Sequence, residues 1–99
     1  MNHHKSMEFE WDEAKSDACY EERGFDFAYA LRAFLDPDRI VQEDHRWNYG
    51  EDRFRLTGII ESRGFVLVHT VRETSIRSIS ARKANRREVR FYENSTREN

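Results

Sequence analysis

The chain has 99 residues, enough for one domain, with 36% charged and 13% aromatic residues and a formal net charge of −2. Charge interspersed with apolar runs argues for a folded, well-solvated domain over a disordered one, and no run approaches the ~20 apolar residues of a membrane helix, so no membrane role is expected. A single cysteine, Cys19, excludes an internal disulfide and fits a reducing cytoplasm, the expected location.

Residues 1–7 lack a signal-peptide core and are set aside as a leader or tag remnant, leaving one domain over 8–94 and a tail over 95–99. Glu8–Trp11 alternates and predicts a short edge strand. Asp12 stands where an N-cap would, and Gly24 closes the following helix at Arg23. Asp26 caps a second helix whose Phe27, Leu31, Phe34 and Leu35 form an apolar stripe, stopped at Asp36-Pro37. A strand around Arg39–Val41 follows, and Asn48-Tyr49-Gly50-Glu51-Asp52 reads as a turn. Arg53–Ile60 alternates, Ser62-Arg63-Gly64 predicts a hairpin turn, and Phe65–Arg72 is the most apolar strand. Glu73-Thr74-Ser75 turns into Ile76–Ala81, completing a meander. Asn85, with Glu88 three residues on, is a capping-box start for a last helix through about Glu93. The order β-α-α-β-β-β-β-α predicts an α+β fold: an antiparallel sheet of four to five strands, with helices on one face.

Charge is unevenly spread. Glu8–Asp26 carries eight acidic and two basic residues, Arg72–Arg90 seven basic and two acidic. Such separation points to a basic face for an anion, and arginine suits bidentate phosphate contact. On a regular strand, Arg77 shares a face with Ile79 and Ala81, while Ser78, Ser80 and Arg82 take the other. Arg72, Glu51 and Arg53 are expected to converge on that surface. Trp11 and Lys15, one helical turn apart, offer a stacking ring and a phosphate ligand, although Trp11 is more often core. Lys83, Arg86 and Arg87 are further candidates for RNA contact. The histidines show no metal-ligand spacing, His69 reads as a core residue and Cys19 as a small buried hydrophobe. No metal and no cofactor are expected.

Several segments resemble the BrnT toxins: Phe9-Glu10-Trp11-Asp12-Glu13-Ala14-Lys15, Gly24-Phe25-Asp26-Phe27, Ala33-Phe34-Leu35-Asp36-Pro37 and Gly50-Glu51-Asp52-Arg53-Phe54. So do Val66–Arg72 and Ile76-Arg77-Ser78-Ile79-Ser80-Ala81-Arg82-Lys83-Ala84, with Glu88 and Tyr92. The resemblance implies a RelE-like fold and a metal-independent ribonuclease toxin of a type II toxin–antitoxin pair. It also implies a BrnA antitoxin with a ribbon-helix-helix domain, through which the complex reaches operator DNA. Glu51 is then the candidate general base. Arg53, Arg72, Arg77 and Arg82 are the candidate phosphate ligands, with Lys15 assisting. Two positions depart from the family pattern: Cys19 stands where Asn is usual, and Glu22-Arg23 where Lys-His is usual. Arg23 stays protonated and cannot act as a base near neutrality. A catalytically weakened module that binds RNA or antitoxin within a repressor complex is the alternative reading, and a basic-faced domain that binds acidic protein is a third.

Overall fold

The structure is a computed structural model that describes residues 8–45 and 50–97. The leader and Asn48-Tyr49 of the expected turn lie outside the described residues. The elements run β1 (Glu8–Trp11), α1 (Glu13–Arg23), α2 (Phe27–Ala30), a 3₁₀ turn (Leu31–Leu35), β2 (Ile40–Glu43), β3 (Phe54–Ile60), β4 (Arg63–Val71), β5 (Ser75–Lys83) and α3 (Arg86–Arg97).

The expected caps form. Asp12 Oδ1 accepts the Lys15 N–H at 3.1 Å, and Gly24 ends α1 at φ 86°, a left-handed conformation that glycine takes without steric cost. Asp26 Oδ1 accepts the Tyr29 N–H at 2.9 Å. At α3, Asn85 Oδ1 accepts the Glu88 N–H and Glu88 Oε1 accepts the Asn85 N–H, both at 2.8 Å, a complete capping box. That helix runs to Arg97, beyond the expected end near Glu93, and the Thr96 hydroxyl bonds the Tyr92 carbonyl at 2.7 Å.

The sheet order is β1-β5-β4-β3-β2. The three strands of the expected meander pair antiparallel and β2 joins them antiparallel, but β1 lies parallel to β5, so the sheet is mixed rather than antiparallel. The two helices after β1 carry the chain back across the sheet, which lets the first and last strands run the same way. The hairpin between β3 and β4 turns on Glu61 and Ser62, at φ 50° and 72°, one residue earlier than expected, and Arg63 already pairs with Ile60.

The core lies between one sheet face and the helices α1 and α2. Leu56, Phe65, Leu67 and Ala81 from the sheet meet Cys19, Phe27, Ala30, Leu31 and Ala33. Gly58 lets β3 approach the 3₁₀ turn, because a Cβ there would stand 2.9 Å from the Ala33 carbonyl oxygen. Trp11 packs against this core, in keeping with the core reading over the stacking one. So does His69, 3% exposed, its ring edge-on to Phe34 at 5.0 Å. Burial lowers the His69 pKa and keeps its imidazole neutral. Among the described residues, its Nδ1 and the hydroxyl of Ser78, its cross-strand partner, have no hydrogen-bond partner.

The third helix departs from the expectation of helices on one face. It covers only one end of the opposite face, where a Cβ on Gly64 would meet Val89. The rest of that face sets polar and charged side chains around the buried Val68.

Candidate active site

Strand register fixes which side chains share the uncovered face. In β5, Arg77 stands opposite Thr70, Ser80 opposite Val68 and Arg82 opposite Val66. Residues 66, 68 and 70 alternate along one strand and point the same way, so Arg77, Ser80 and Arg82 do too. This corrects the alternation expected for β5, which put Arg77 and Arg82 on opposite faces. The cause is a bulge beside Val68 and His69: Ile79 has no partner, and the extra residue shifts the phase of everything after it. Arg55 of β3, opposite Val68, and Gln42 of β2, opposite Arg55, complete the middle row of the same face.

At the end away from α3 the charges form a chain. The Arg53 guanidinium lies 3.6 Å from Glu51, and Glu51 lies 4.0 Å from Arg72. Arg72 and Arg77 both donate to a single oxygen, Glu10 Oε1, at 3.3 and 3.1 Å. Glu10 reaches them because β1 pairs Glu10 with Arg77. Thr70 anchors the neighbouring loop by donating its hydroxyl to the Asp52 carbonyl at 2.7 Å. The structure therefore brings together Glu51, Arg53, Arg72 and Arg77, four of the five residues singled out from sequence as catalytic. Two guanidinium groups that converge on one carboxylate oxygen form an arrangement suited to an anion.

Arg82 is not part of that chain. Its guanidinium grips both carboxylate oxygens of Glu88 at 2.8 and 2.7 Å, in the row nearest α3. That bond holds the Glu88 carboxyl below its usual range, against the opposing effect of partial burial. Lys15 also lies elsewhere, in a groove with Cys19, Arg23 and Ser80 beside the end of β5. The Cys19 thiol donates to the Ala81 carbonyl at 3.6 Å, and burial pushes its pKa up, so it is a packed side chain and not a nucleophile. Lys83 points to the helix-covered side, where it borders a cavity of about 540 Å³ with Tyr20, Arg23, Phe25, Tyr29 and Arg63. Arg86 and Arg87 are exposed on the first turn of α3.

Sequence reasoning missed Glu10, Arg55 and Glu88 as members of this face. Only Glu88 had left a signal, as the acidic partner of the capping box. Glu10 gave none, because nothing local shows that β1 will lie beside β5. Among the described residues no three His, Cys, Asp or Glu side chains gather in a way that could hold a metal ion. No helix among them is long and apolar enough to cross a membrane.

No curated protein matches the chain. A family does, described as "Ribonuclease toxin, BrnT, of type II toxin-antitoxin system", and the match spans residues 11–88. That span takes in β1's last residue, both N-terminal helices, the whole meander and the start of α3. The chain belongs to the BrnT family of type II ribonuclease toxins.

Proposed function

We propose that this chain, as one toxin domain over residues 8–94, is a metal-independent endoribonuclease. It cuts RNA by attack of a ribose 2′-OH on the adjacent phosphate. The observation that carries the reading is the sharing of one Glu10 oxygen between Arg72 and Arg77, at 3.3 and 3.1 Å. Two guanidinium groups converging on one oxygen form a site for a phosphate oxygen, and an incoming scissile phosphate exchanges with Glu10. Glu51, next to Arg72, takes the proton from the 2′-OH. The 2′-oxygen bonds to phosphorus, the bond to the 5′-oxygen breaks, and that oxygen takes a proton from water. The products are a 2′,3′-cyclic phosphate and a 5′-hydroxyl. Arg72 and Arg77 offset the charge that gathers on the phosphoryl oxygens, and Arg53 holds Glu51 in place.

The family membership supports a protein antitoxin and an RNA target. We take the antitoxin to be of the BrnA type, with a ribbon-helix-helix domain through which the pair binds operator DNA, and the fold to be RelE-like. A cytoplasmic location follows from that role. The alternative, a weakened module acting through its antitoxin, is favoured by one observation. Arg23, at a position where relatives carry histidine, supplies no base.

The direct test is incubation of pure protein with RNA in EDTA, followed by end-group analysis. Cyclic phosphate ends that vanish with Arg77→Ala and with Glu51→Ala are expected. Intact RNA, or cleavage indifferent to both substitutions, refutes the assignment.

A further inference from the structure

A second cavity opens on the same sheet face, between β2, β3 and α3. It measures about 400 Å³ and is lined by Gln42, Arg55, Thr57, Asn85, Arg87 and Phe91, with Glu88 at its wall. Phe91 is 49% exposed. The adjacent Tyr92 is buried and donates its hydroxyl to Asp36 Oδ2 at 2.6 Å, which fixes the rotation of α3 and thereby holds Phe91 over the cavity. Glu88 is already committed to Arg82 and to the helix cap. The remaining charges on the lining, Arg55 and Arg87, are positive.

The position of this cavity relative to the charge chain follows from the register. Arg55 stands opposite Val68, two residues along β4 from Thr70, which stands opposite Arg77. Two residues of strand span about 7 Å, and the two strand spacings between β3 and β5 add about 10 Å across the sheet, an offset of about 12 Å. A single-stranded RNA whose phosphate sits between Arg72 and Arg77 thus carries a flanking nucleotide toward Arg55 and Phe91.

From this geometry we infer that Phe91, Arg55, Arg87, Gln42 and Asn85 form a subsite for the nucleotide next to the scissile phosphate. The inference rests on the ribonuclease reading and adds to it the side chains that receive and discriminate a flanking base. The base stacks on the Phe91 ring, a contact available to any base. Arg87 and Arg55 take the flanking phosphate. Asn85 Oδ1 caps α3 and Gln42 Oε1 accepts from Arg55 at 3.5 Å, so the two carboxamides offer their NH2 donors to the base edge, and selection among bases arises there. The occupant is RNA and not a protein segment because the lining is cationic and continuous with the charge chain, on the face where the cut is made.

The test uses the full-length protein and fluorescein-labelled single-stranded RNA oligonucleotides in EDTA, read by anisotropy, with cleavage positions mapped on a longer RNA. Phe91→Ala is expected to weaken oligonucleotide binding on the order of 10- to 100-fold, and Phe91→Tyr to restore it. Gln42→Ala is expected to change which bases flank the cut. Phe91 is half exposed, so its truncation leaves the fold intact, which melting confirms independently. Unchanged affinity and unchanged cut positions with Phe91→Ala overturn the subsite. Unchanged RNA affinity with altered self-association assigns Phe91 to a protein contact, and also overturns it. The two readings fail separately. Binding that falls with Phe91→Ala in a protein that never cuts RNA keeps the subsite and removes the ribonuclease, whereas cutting that depends on Arg77 but not on Phe91 does the reverse.

Discussion

At the α3 end of the uncovered sheet face Arg82 grips Glu88 through two nitrogens on two oxygens, at 2.8 and 2.7 Å. At the other end Arg72 and Arg77 crowd one oxygen of Glu10, at 3.3 and 3.1 Å. The residue types are the same and the strand is the same, but the bonds differ in kind. The first is a matched fork in which each donor has its own acceptor, and its carboxylate also closes the cap of α3. The second gives two cations one acceptor atom, and the side chains of Arg72 and Glu10 are 52% and 40% exposed. An incoming phosphate has little to offer the matched fork. It offers the crowded pair the extra oxygens that they lack. On the proposed reading, the count of acceptor atoms and not ion pairing alone separates a structural arginine from one that meets substrate.

Breaking each end in turn tests this contrast. The largest effect is expected from Arg77→Ala, which removes a donor to the transition state. Cleavage should fall about 100- to 1,000-fold, on the order of 3–4 kcal/mol, with little change in melting temperature. Arg82→Ala showing the larger loss of activity would reverse the roles of the two ends. Next comes Glu88→Ala, which removes both the partner of Arg82 and half of the capping box. A loss of about 1–2 kcal/mol in urea unfolding is expected, while folded enzyme keeps most of its activity.

A pH effect of similar or smaller size separates the two ends from the core between the sheet and α1–α2. Burial depresses the His69 pKa in the folded state. Its contribution is complete above the unfolded value of about 6.5, and is lost as pH falls below it, at no more than about 1.4 kcal/mol per pH unit. Glu88, also depressed in the folded state, adds its loss only on further acidification, below about pH 4.3. Urea midpoints at pH 7.5 and 5.5 should differ in the parent, and the difference should shrink with His69→Phe. A difference unaltered by that substitution removes His69 from the account. The smallest effect is expected from Glu10→Gln, which takes the charge from the shared oxygen. RNA affinity should rise about two- to five-fold at low salt, under about 1 kcal/mol, and the gain should fade as salt is added. Weaker binding would make Glu10 a ligand organiser and not a placeholder.

Much of this arrangement was legible in the sequence wherever the cause was local. Asp12 with Gly24, and Asn85 with Glu88, announce helix ends through side chains three or four residues from the backbone groups that they satisfy. The alternation of β3 and β4 gave the meander, and with it the meeting of Glu51, Arg53, Arg72 and Arg77. What escaped had a distant or subtle cause. The parallel pairing of β1 with β5 depends on where two helices return the chain, and Glu10 could not be read as a site residue without it. The bulge at Ile79 costs one residue of phase, and no glycine marks it. That single residue moved Arg77 and Arg82 onto the same face. Arg55 was passed over because its partners on the face, Gln42 and Ser80, lie on strands 13 and 25 positions away.

The contact between Glu10 and Arg77 spans 67 positions of a 99-residue chain. During synthesis β1 emerges first and has no neighbour, while the strand that it must join is made in the last third. The oxygen that the two arginines share thus gains both of them only after β5 has been made. Closing so long a loop is also entropically slow. A growing chain on the ribosome accordingly lacks this shared contact until β5 has been made.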